Sequence, residues 1–288
     1  SPSEIEINLN SSKSESNRLL IIKSLSDNKI ELENLSHAND TVLLKNLIRS
    51  NSQNIWDAED AGTTMRFLTS FLAVTKQGVL LTGTERMKKR PIKILVDALN
   101  KIGAEISYTE KDGYPPIKIN RKISQIKESI SIRGDISSQY ISSLLMIAPV
   151  LPNGLKIDVM PPFYSKPYVM MTLNLMKKFG IKYDLSEDSI SINNQEYKSG
   201  SYKVESDWSA ASYWYSFISI NKKLKEIKLK GLREHSFQGD QVIKKIMTLF
   251  NVETLYDKDG IILRKKDFDC DYLELDFKDC PDLAQTVL

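Results

Sequence analysis

Two cysteines, two histidines and no long hydrophobic run set the first limits on this 288-residue chain. Cys270 and Cys280 form no CxxC pair, which argues against a disulfide framework or a zinc site and for a reducing, cytoplasmic setting. His37 and His235 sit in no motif, so a Ser-His-Asp triad or a histidine-rich metal site has little to draw on. The longest apolar runs, such as 144–151, fall far short of a membrane span. The opening SPSEIEINLNSSKSESN is acidic and polar and lacks the apolar core of a signal peptide. Charge of one sign is scarce too: 40 Lys and Arg against 37 Asp and Glu leave +3, too little for the basic stripe that nucleic acid requires. A 41% hydrophobic, 27% charged chain remains, globular in composition and long enough for two domains.

With so little net charge, its local concentration carries the information. Arg86, Lys88, Lys89 and Arg90 put four cations into five residues ahead of Pro91. Ile94, Leu95, Ala98, Leu99 and Ile102 then recur at helical spacing, and Gly103 follows as a stop. Pro91 is expected in the first turn of that helix. Cations crowded at a helix N-terminus repel the positive end of its dipole, and a bound anion would relieve the repulsion.

Small polar residues open an apolar-periodic helix at five places. Marked at Ser14, Thr63, Ser137, Ser209 and Asp282, they lie 49, then 74, 72 and 73 residues apart. A second series of helix starts at Asp40, Pro91, Pro167 and Asp240 is separated by 51, 76 and 73. Two interleaved series with matching periods imply a repeated unit of two helices and several strands, the first copy shorter. The runs 78–82, 156–159, 189–192, 226–229 and 261–264 read as strands between these helices. The segments 111–113 and 256–260 read as hairpin-type turns. The fold class is α+β. The last signature begins at Pro281, about two turns before the chain stops, so a fragment of a longer protein is expected.

Several of these helix starts have the makings of anion sites. Ser12 and Glu15 have capping-box spacing, with Lys13 on the first turn and Arg18 one and a half turns on. Gly62 and Thr63 leave backbone N–H groups open to close approach, and Arg66 is placed to hold a carboxylate or to pair with Asp60. Ser137, Ser138 and Gln139 supply two hydroxyls and an amide. Ser165, Lys166 and Tyr168 supply a hydroxyl, an ammonium and a phenol, suited to a polyol or a phosphate. The plain alternative for each is helix capping.

Taken in order, SKSESNR (12–18), DAGTTMR (60–66), LTGTERMKKRPI (81–92), YPP (114–116) and GDISSQY (134–140) resemble the signatures of the 5-enolpyruvylshikimate-3-phosphate synthase family. SKPY (165–168), TLNLMKKFGI (172–181), VESDWSAASYW (204–214), QGD (238–240) and CPDLAQT (280–286) continue the match. The resemblance implies repeated βαβαββ units forming a two-domain inverse α/β prism with the active site in the cleft between domains. Residues 13–206 would form one complete domain, and 1–12 with 207–288 an incomplete part of the other. It implies transfer of an enolpyruvyl group from phosphoenolpyruvate to the 5-hydroxyl of shikimate 3-phosphate, releasing phosphate, in chorismate and aromatic amino acid biosynthesis. No metal or organic cofactor, no nucleic acid and no membrane would take part, and a monomer is expected. Two substrates with about five to six negative charges between them demand a gap lined with Lys, Arg and helix N-termini.

Carried over residue by residue, Lys13, Ser14 and Arg18 resemble ligands of shikimate 3-phosphate, with Lys13 also reaching phosphoenolpyruvate. Ser137, Ser138, Gln139, Ser165 and Tyr168 resemble further contacts to the phosphorylated shikimate. Gly62, Arg90 and Gln139 match contacts to phosphoenolpyruvate. Asp282 aligns with the aspartate that binds the ring hydroxyls and is the candidate base for the 5-hydroxyl. Two departures stand out. Asp60 replaces the family's usual Asn, and the family's later lysine, glutamate and arginine groups are not in this chain, which is expected to be inactive alone. The rivals are the enolpyruvyl transferase acting on UDP-N-acetylglucosamine, disfavoured by the lack of cysteine before Cys270, and a non-catalytic phospho-ligand-binding module.

Overall fold

The computed structural model describes residues 4–50, 53–266 and 274–287; Cys270 lies outside them. The chain opens with β1 (Glu4–Asn8), α1 (Lys13–Leu25), β2 (Ile30–Glu33) and α2 (Asn39–Arg49). Next come β3 (Ile55–Asp57), α3 (Gly62–Thr75), β4 (Val79–Thr82), α4 (Lys93–Lys101), β5 (Glu105–Tyr108) and β6 (Ile117–Arg121). The same order recurs in β7 (Ser129–Arg133), α5 (Ser138–Ile147), β8 (Leu155–Met160), α6 (Lys166–Lys178), β9 (Asp184–Leu185) and β10 (Ser189–Ile192). After β11 (Gly200–Lys203) follow α7 (Trp208–Ile220), β12 (Glu226–Lys230), α8 (Ile243–Thr248), β13 (Val252–Asp257), β14 (Gly260–Lys265) and α9 (Pro281–Val287).

The periodicity of the sequence is the periodicity of the sheets. Their orders are β3-β4-β6-β5, β7-β8-β10-β9 and β1-β12-β14-β13. In each, the first two strands run parallel and the remaining pairs antiparallel. In β7 the residues Ile130 and Ile132 face inward while Ser129 and Ser131 face out, the period of two that covers one side of a sheet. The short first copy contributes β2, which pairs in parallel with β11 from 170 residues later. The sheet of the last copy likewise takes β1 as its first strand. Both ends of the chain are thus laced into each other's units.

Helices α1, α3 and α5 begin the repeated units of the larger half and pack on one another. Eleven of the 14 residues of α3 and nine of the ten of α5 are buried, so neither has a solvent face. In α7, which holds the corresponding place in the last copy, five of 13 residues are buried, and Tyr213, Phe217 and Ile220 are exposed. Each fully buried Leu or Phe contributes about 2 kcal/mol, against about 1 kcal/mol for a cap. Mutual burial, more than capping, therefore fixes where these helix N-termini point.

The apolar interior falls into two clusters. One runs from Leu19 to Val204; the other from Trp208 to Leu283, with Ile5, Ile7 and Leu9 packed against it. The chain passes between them twice, at 10–12 and 205–207, and the two passages are bonded together. Ser12 N donates to Glu205 O at 2.8 Å and Asp207 N to Asn10 O at 2.9 Å.

This crossing changes the capping box. Ser12 accepts from Glu15 N at 3.3 Å as expected, but Glu15 does not reach back to Ser12. The Ser12 N–H is already used, and the fully buried Glu15 carboxylate accepts from Tyr202 OH and from Glu205 N, both at 3.1 Å. Burial, reinforced by the Glu205 carboxylate, pushes its pKa up to about 7.

A second correction concerns Pro91. Ile92 has a non-helical backbone at φ −133°, with its N donating to Gly113 O, so α4 starts only at Lys93 and Pro91 lies ahead of its first turn. The basic run instead rides a short 3-10 turn, Met87–Lys89. Lys88 pairs with Glu85 and Glu110, and Lys93 with Asp97 and Asp112. Among the described residues, carboxylates thus answer Lys88 alone of the four cations in the run. Gly103 stops α4 as expected, in the left-handed region at φ 111°.

Candidate active site

A cleft of about 470 Å³ lies between the two apolar clusters. It brings together Lys13 and Ser14 from α1, Tyr168 from α6, Asp207 at the start of α7, Asp240 from the QGD segment and Asp282 from α9. Four of these, Lys13, Ser14, Tyr168 and Asp282, are sequence-predicted site residues. Asp207 caps α7 by accepting from Ala210 N at 3.0 Å and also accepts from Lys13 N at 3.3 Å. The start of α1 is thereby tied to the start of α7. A larger concavity of about 940 Å³ among Lys29, Lys182 and Lys198 contains none of the predicted site residues.

The centre of the cleft is the Tyr168 hydroxyl, which donates to Asp240 Oδ1 at 2.6 Å and lies 3.4 Å from Asp282 Oδ2. Asp240 is 7% exposed. Burial, with Asp282 and Asp207 adding to it against the Tyr168 hydrogen bond, raises its pKa to about 6. Burial and the two neighbouring carboxylates also push the Tyr168 phenol well above its ordinary range, so it stays a donor. Lys13 Nζ stands 3.6 Å from Asp40 Oδ2. This half of the cleft is rich in carboxylates, and the expected positive polarisation is not found here.

A cationic cluster lies outside this lining, at the N-terminus of α3. A Cβ added to Gly62 would press on Arg90 Nη1 and stand 2.7 Å from Arg66 Nη1, so both guanidiniums crowd this one backbone position. Arg66 Nη1 donates to Gly62 O at 3.1 Å and to Gln139 Oε1 at 3.0 Å, while Gln139 Nε2 donates to Thr63 Oγ1 at 3.1 Å. Arg66 is 9% exposed, and its buried Nε has no partner among the described residues. Arg66 does not pair with Asp60, which accepts instead from the Thr84 hydroxyl. Burial, then the proximity of Arg66 and Arg86, lowers the pKa of Arg90. Two like charges beside the positive end of a helix form an arrangement that an anion completes.

Asp40 joins the two halves: it pairs with Lys13, acts electrostatically on Arg90 and, through its carbonyl, accepts from Thr64 Oγ1. Arg18 runs beneath them. It is 3% exposed and spends its donors on Thr172 Oγ1, Ser14 O, Ser142 Oγ and Tyr168 O. The structure places it under the cleft, outside its lining. Desolvation lowers its pKa to about 10.

Gly62, Arg90, Ser137, Ser138, Gln139 and Ser165 also stand outside the lining of the cleft. Ser137 caps α5 by accepting from Gln139 N at 3.3 Å, and Ser138 is 9% exposed. Ser165 precedes α6 in a left-handed conformation, φ 55°, with no side-chain cap. The residues that sequence reasoning left out of the site are Asp40, Asp207 and Asp240, while Arg66 was read as a carboxylate ligand or a partner of Asp60. Asp240 had a signal in QGD, while Asp40 had none beyond opening a helix.

Among the described residues no group of three or more His, Cys, Asp or Glu is placed to hold a metal ion, and no helix is long and apolar enough to cross a membrane. Cys280 is buried beside Asp240, and burial pushes its thiol up to about 11.

The profile of EPSP synthase (3-phosphoshikimate 1-carboxyvinyltransferase) matches residues 43–288. The chain belongs to the EPSP synthase family. It is 45% identical to the 3-phosphoshikimate 1-carboxyvinyltransferase of Bacteroides fragilis, covering 100% of this chain and 70% of that protein. It is 35% identical to the enzyme of the same name from Buchnera aphidicola, covering 98% of this chain and 71% of that one. The EPSP synthase structure from Acinetobacter baumannii superposes with a TM-score of 0.71 at 18% identity, covering 91% of this chain and 64% of that chain. The α+β fold of repeated units is thus an EPSP synthase fold.

Proposed function

We propose that the chain supplies the substrate cleft of an enolpyruvyl transferase that joins phosphoenolpyruvate to the 5-hydroxyl of shikimate 3-phosphate and releases phosphate. Residues 13–206 are one domain in this reading, and 1–12 with 207–288 belong to the other. The observation that supports it is a carboxylate end, where residues at the starts of α1, α6, α7 and α9 line one cleft, linked through Asp40 to a cationic end at the start of α3.

Each end suits one half of the chemistry. Arg90, the Gly62 backbone and Gln139, steadied by Arg66, bind the phosphate and carboxylate of phosphoenolpyruvate. Lys13, between the ends, reaches both substrates. Ser14, Arg18, Ser137, Ser138, Gln139, Ser165 and Tyr168 hold the phosphorylated ring, Arg18 through the positions of Ser14 and Tyr168. Asp282 accepts the proton of the 5-hydroxyl as the hydroxyl oxygen bonds to C2 of phosphoenolpyruvate and C3 takes a proton from the Lys13 ammonium. The tetrahedral adduct then loses a proton from C3 back to Lys13 and phosphate from C2, the phosphate leaving with the proton held by Asp282, which restores the double bond as an enol ether. A carboxylate end favours this because hydroxyls need acceptors, and a base so placed contributes on the order of 10²- to 10⁴-fold.

The reading is tested by phosphate release from the complete gene product given both substrates. Release with shikimate 3-phosphate and none with UDP-N-acetylglucosamine is the expected result. Tight binding of both ligands without turnover would instead support a binding module.

A further inference from the structure

Tyr140 follows Gln139 on α5 and is 4% exposed. Its hydroxyl donates to the Pro91 carbonyl at 2.7 Å, one residue beyond Arg90. Its ring lies under the other cation, with Arg66 Cζ 5.5 Å from the centroid. One side chain therefore touches what supports both guanidiniums. The anchoring matters because Arg90 is exposed and makes no hydrogen bond or ion pair of its own side chain among the described residues, while Arg66 repels it. A free arginine side chain has many rotamers to lose, so anything that fixes its backbone and its neighbour reduces what binding must restrain.

We propose that Tyr140 is a positioning residue for the phosphoenolpyruvate end of the cleft: its hydroxyl pins the Arg90–Pro91 backbone and its ring face seats Arg66, so that both cations face one anion. The inference rests on the proposed function for the identity of that anion. Phenylalanine would keep the ring and lose only the pin.

The control is Tyr197, 3% exposed, whose hydroxyl donates to the Met146 carbonyl at 2.8 Å, near the opposite end of α5 from Gln139. Tyr140→Phe and Tyr197→Phe each delete one buried hydroxyl bonded to a backbone carbonyl, so their melting temperatures should fall alike. In steady-state kinetics of the complete gene product, Tyr140→Phe should raise KM for phosphoenolpyruvate roughly 3- to 10-fold, the worth of one uncharged hydrogen bond. It should leave kcat and KM for shikimate 3-phosphate within about two-fold, and Tyr197→Phe should move none of the three. Equal KM values for phosphoenolpyruvate in the two variants would overturn the proposal. Calorimetric titration with inorganic phosphate separates it from the functional reading. If the wild type shows no turnover, that reading fails, and weaker phosphate binding by Tyr140→Phe than by Tyr197→Phe would still support the positioning role. Equal phosphate affinities would sink it.

Discussion

At the start of α3, the cationic end, Arg66 and Arg90 crowd Gly62 with no carboxylate at ion-pair distance among the described residues; in the cleft, the carboxylate end, Asp207, Asp240 and Asp282 lie around Tyr168 with Lys13 as the neighbouring cation. The cationic end is incomplete by itself, since two guanidiniums and a helix N-terminus carry the same sign. The carboxylate end is nearly self-sufficient, because Tyr168 already satisfies Asp240. The first is built to receive charge from a ligand, and the second to receive hydroxyls. A gap of uniform positive potential would bind two anions with little regard to orientation, whereas this polarity sorts them.

The contrast can be broken most severely at Arg90. Arg90→Ala should raise KM for phosphoenolpyruvate about 100-fold, from the loss of charge-assisted hydrogen bonds worth roughly 1.5–3 kcal/mol each, and change KM for shikimate 3-phosphate far less. Equal effects on both substrates in steady-state kinetics would erase the distinction between the ends.

Asp240 probes the carboxylate end through pH. Its folded pKa of about 6 lies above the ordinary 3.8, so the folded state holds a proton that the unfolded chain has lost over that interval. Stability present at pH 4 is therefore lost as pH rises towards 6, by an amount on the order of 2 kcal/mol. Asp240→Asn should flatten this slope in urea titrations across that range. An unchanged slope would mean that Asp240 is not the group responsible.

Gly62→Ala should sharpen the picture more gently. The added methyl meets guanidinium tips, which can swing aside, and α3 has no positive φ there. KM for phosphoenolpyruvate should rise about ten-fold, the equivalent of roughly 1.4 kcal/mol, with little change in melting temperature. The smallest effect belongs to Asp60→Asn. Removing an exposed carboxylate near the cationic end should lower KM for phosphoenolpyruvate two- to three-fold, within the range of screened surface charges. A raised value would show that Asp60 acts through Thr84 to hold the loop that carries Arg90.

Much of the fold was legible because it is written locally. β4, β8, β10, β12 and β14 fall on the runs of alternating residues, and the interleaved helix starts locate all the long helices to within a few residues. What was missed depended on contacts between distant segments. Pro91 failed as a helix start because the backbone is not helical at Ile92, which is held to Gly113 on a loop about twenty residues on. Glu15 had the spacing of a capping box, but Glu205 took both the Ser12 amide and the Glu15 carboxylate. Arg66 was read as either a carboxylate ligand or a partner of Asp60, and the structure gives it to Gln139 instead.

By itself the sequence determined the repeat, the helix N-termini and the residue types gathered there, since capping preferences and periodic burial act over a few residues. Tertiary structure alone decided the polarity of the cleft. Whether a charged side chain faces a ligand, a carboxylate or the interior depends on helices that lie 70 to 190 residues apart and on the solvent they exclude. Arg18 shows the difference: its position in the motif was plain, but only packing between α1, α5 and α6 buries it beneath the site.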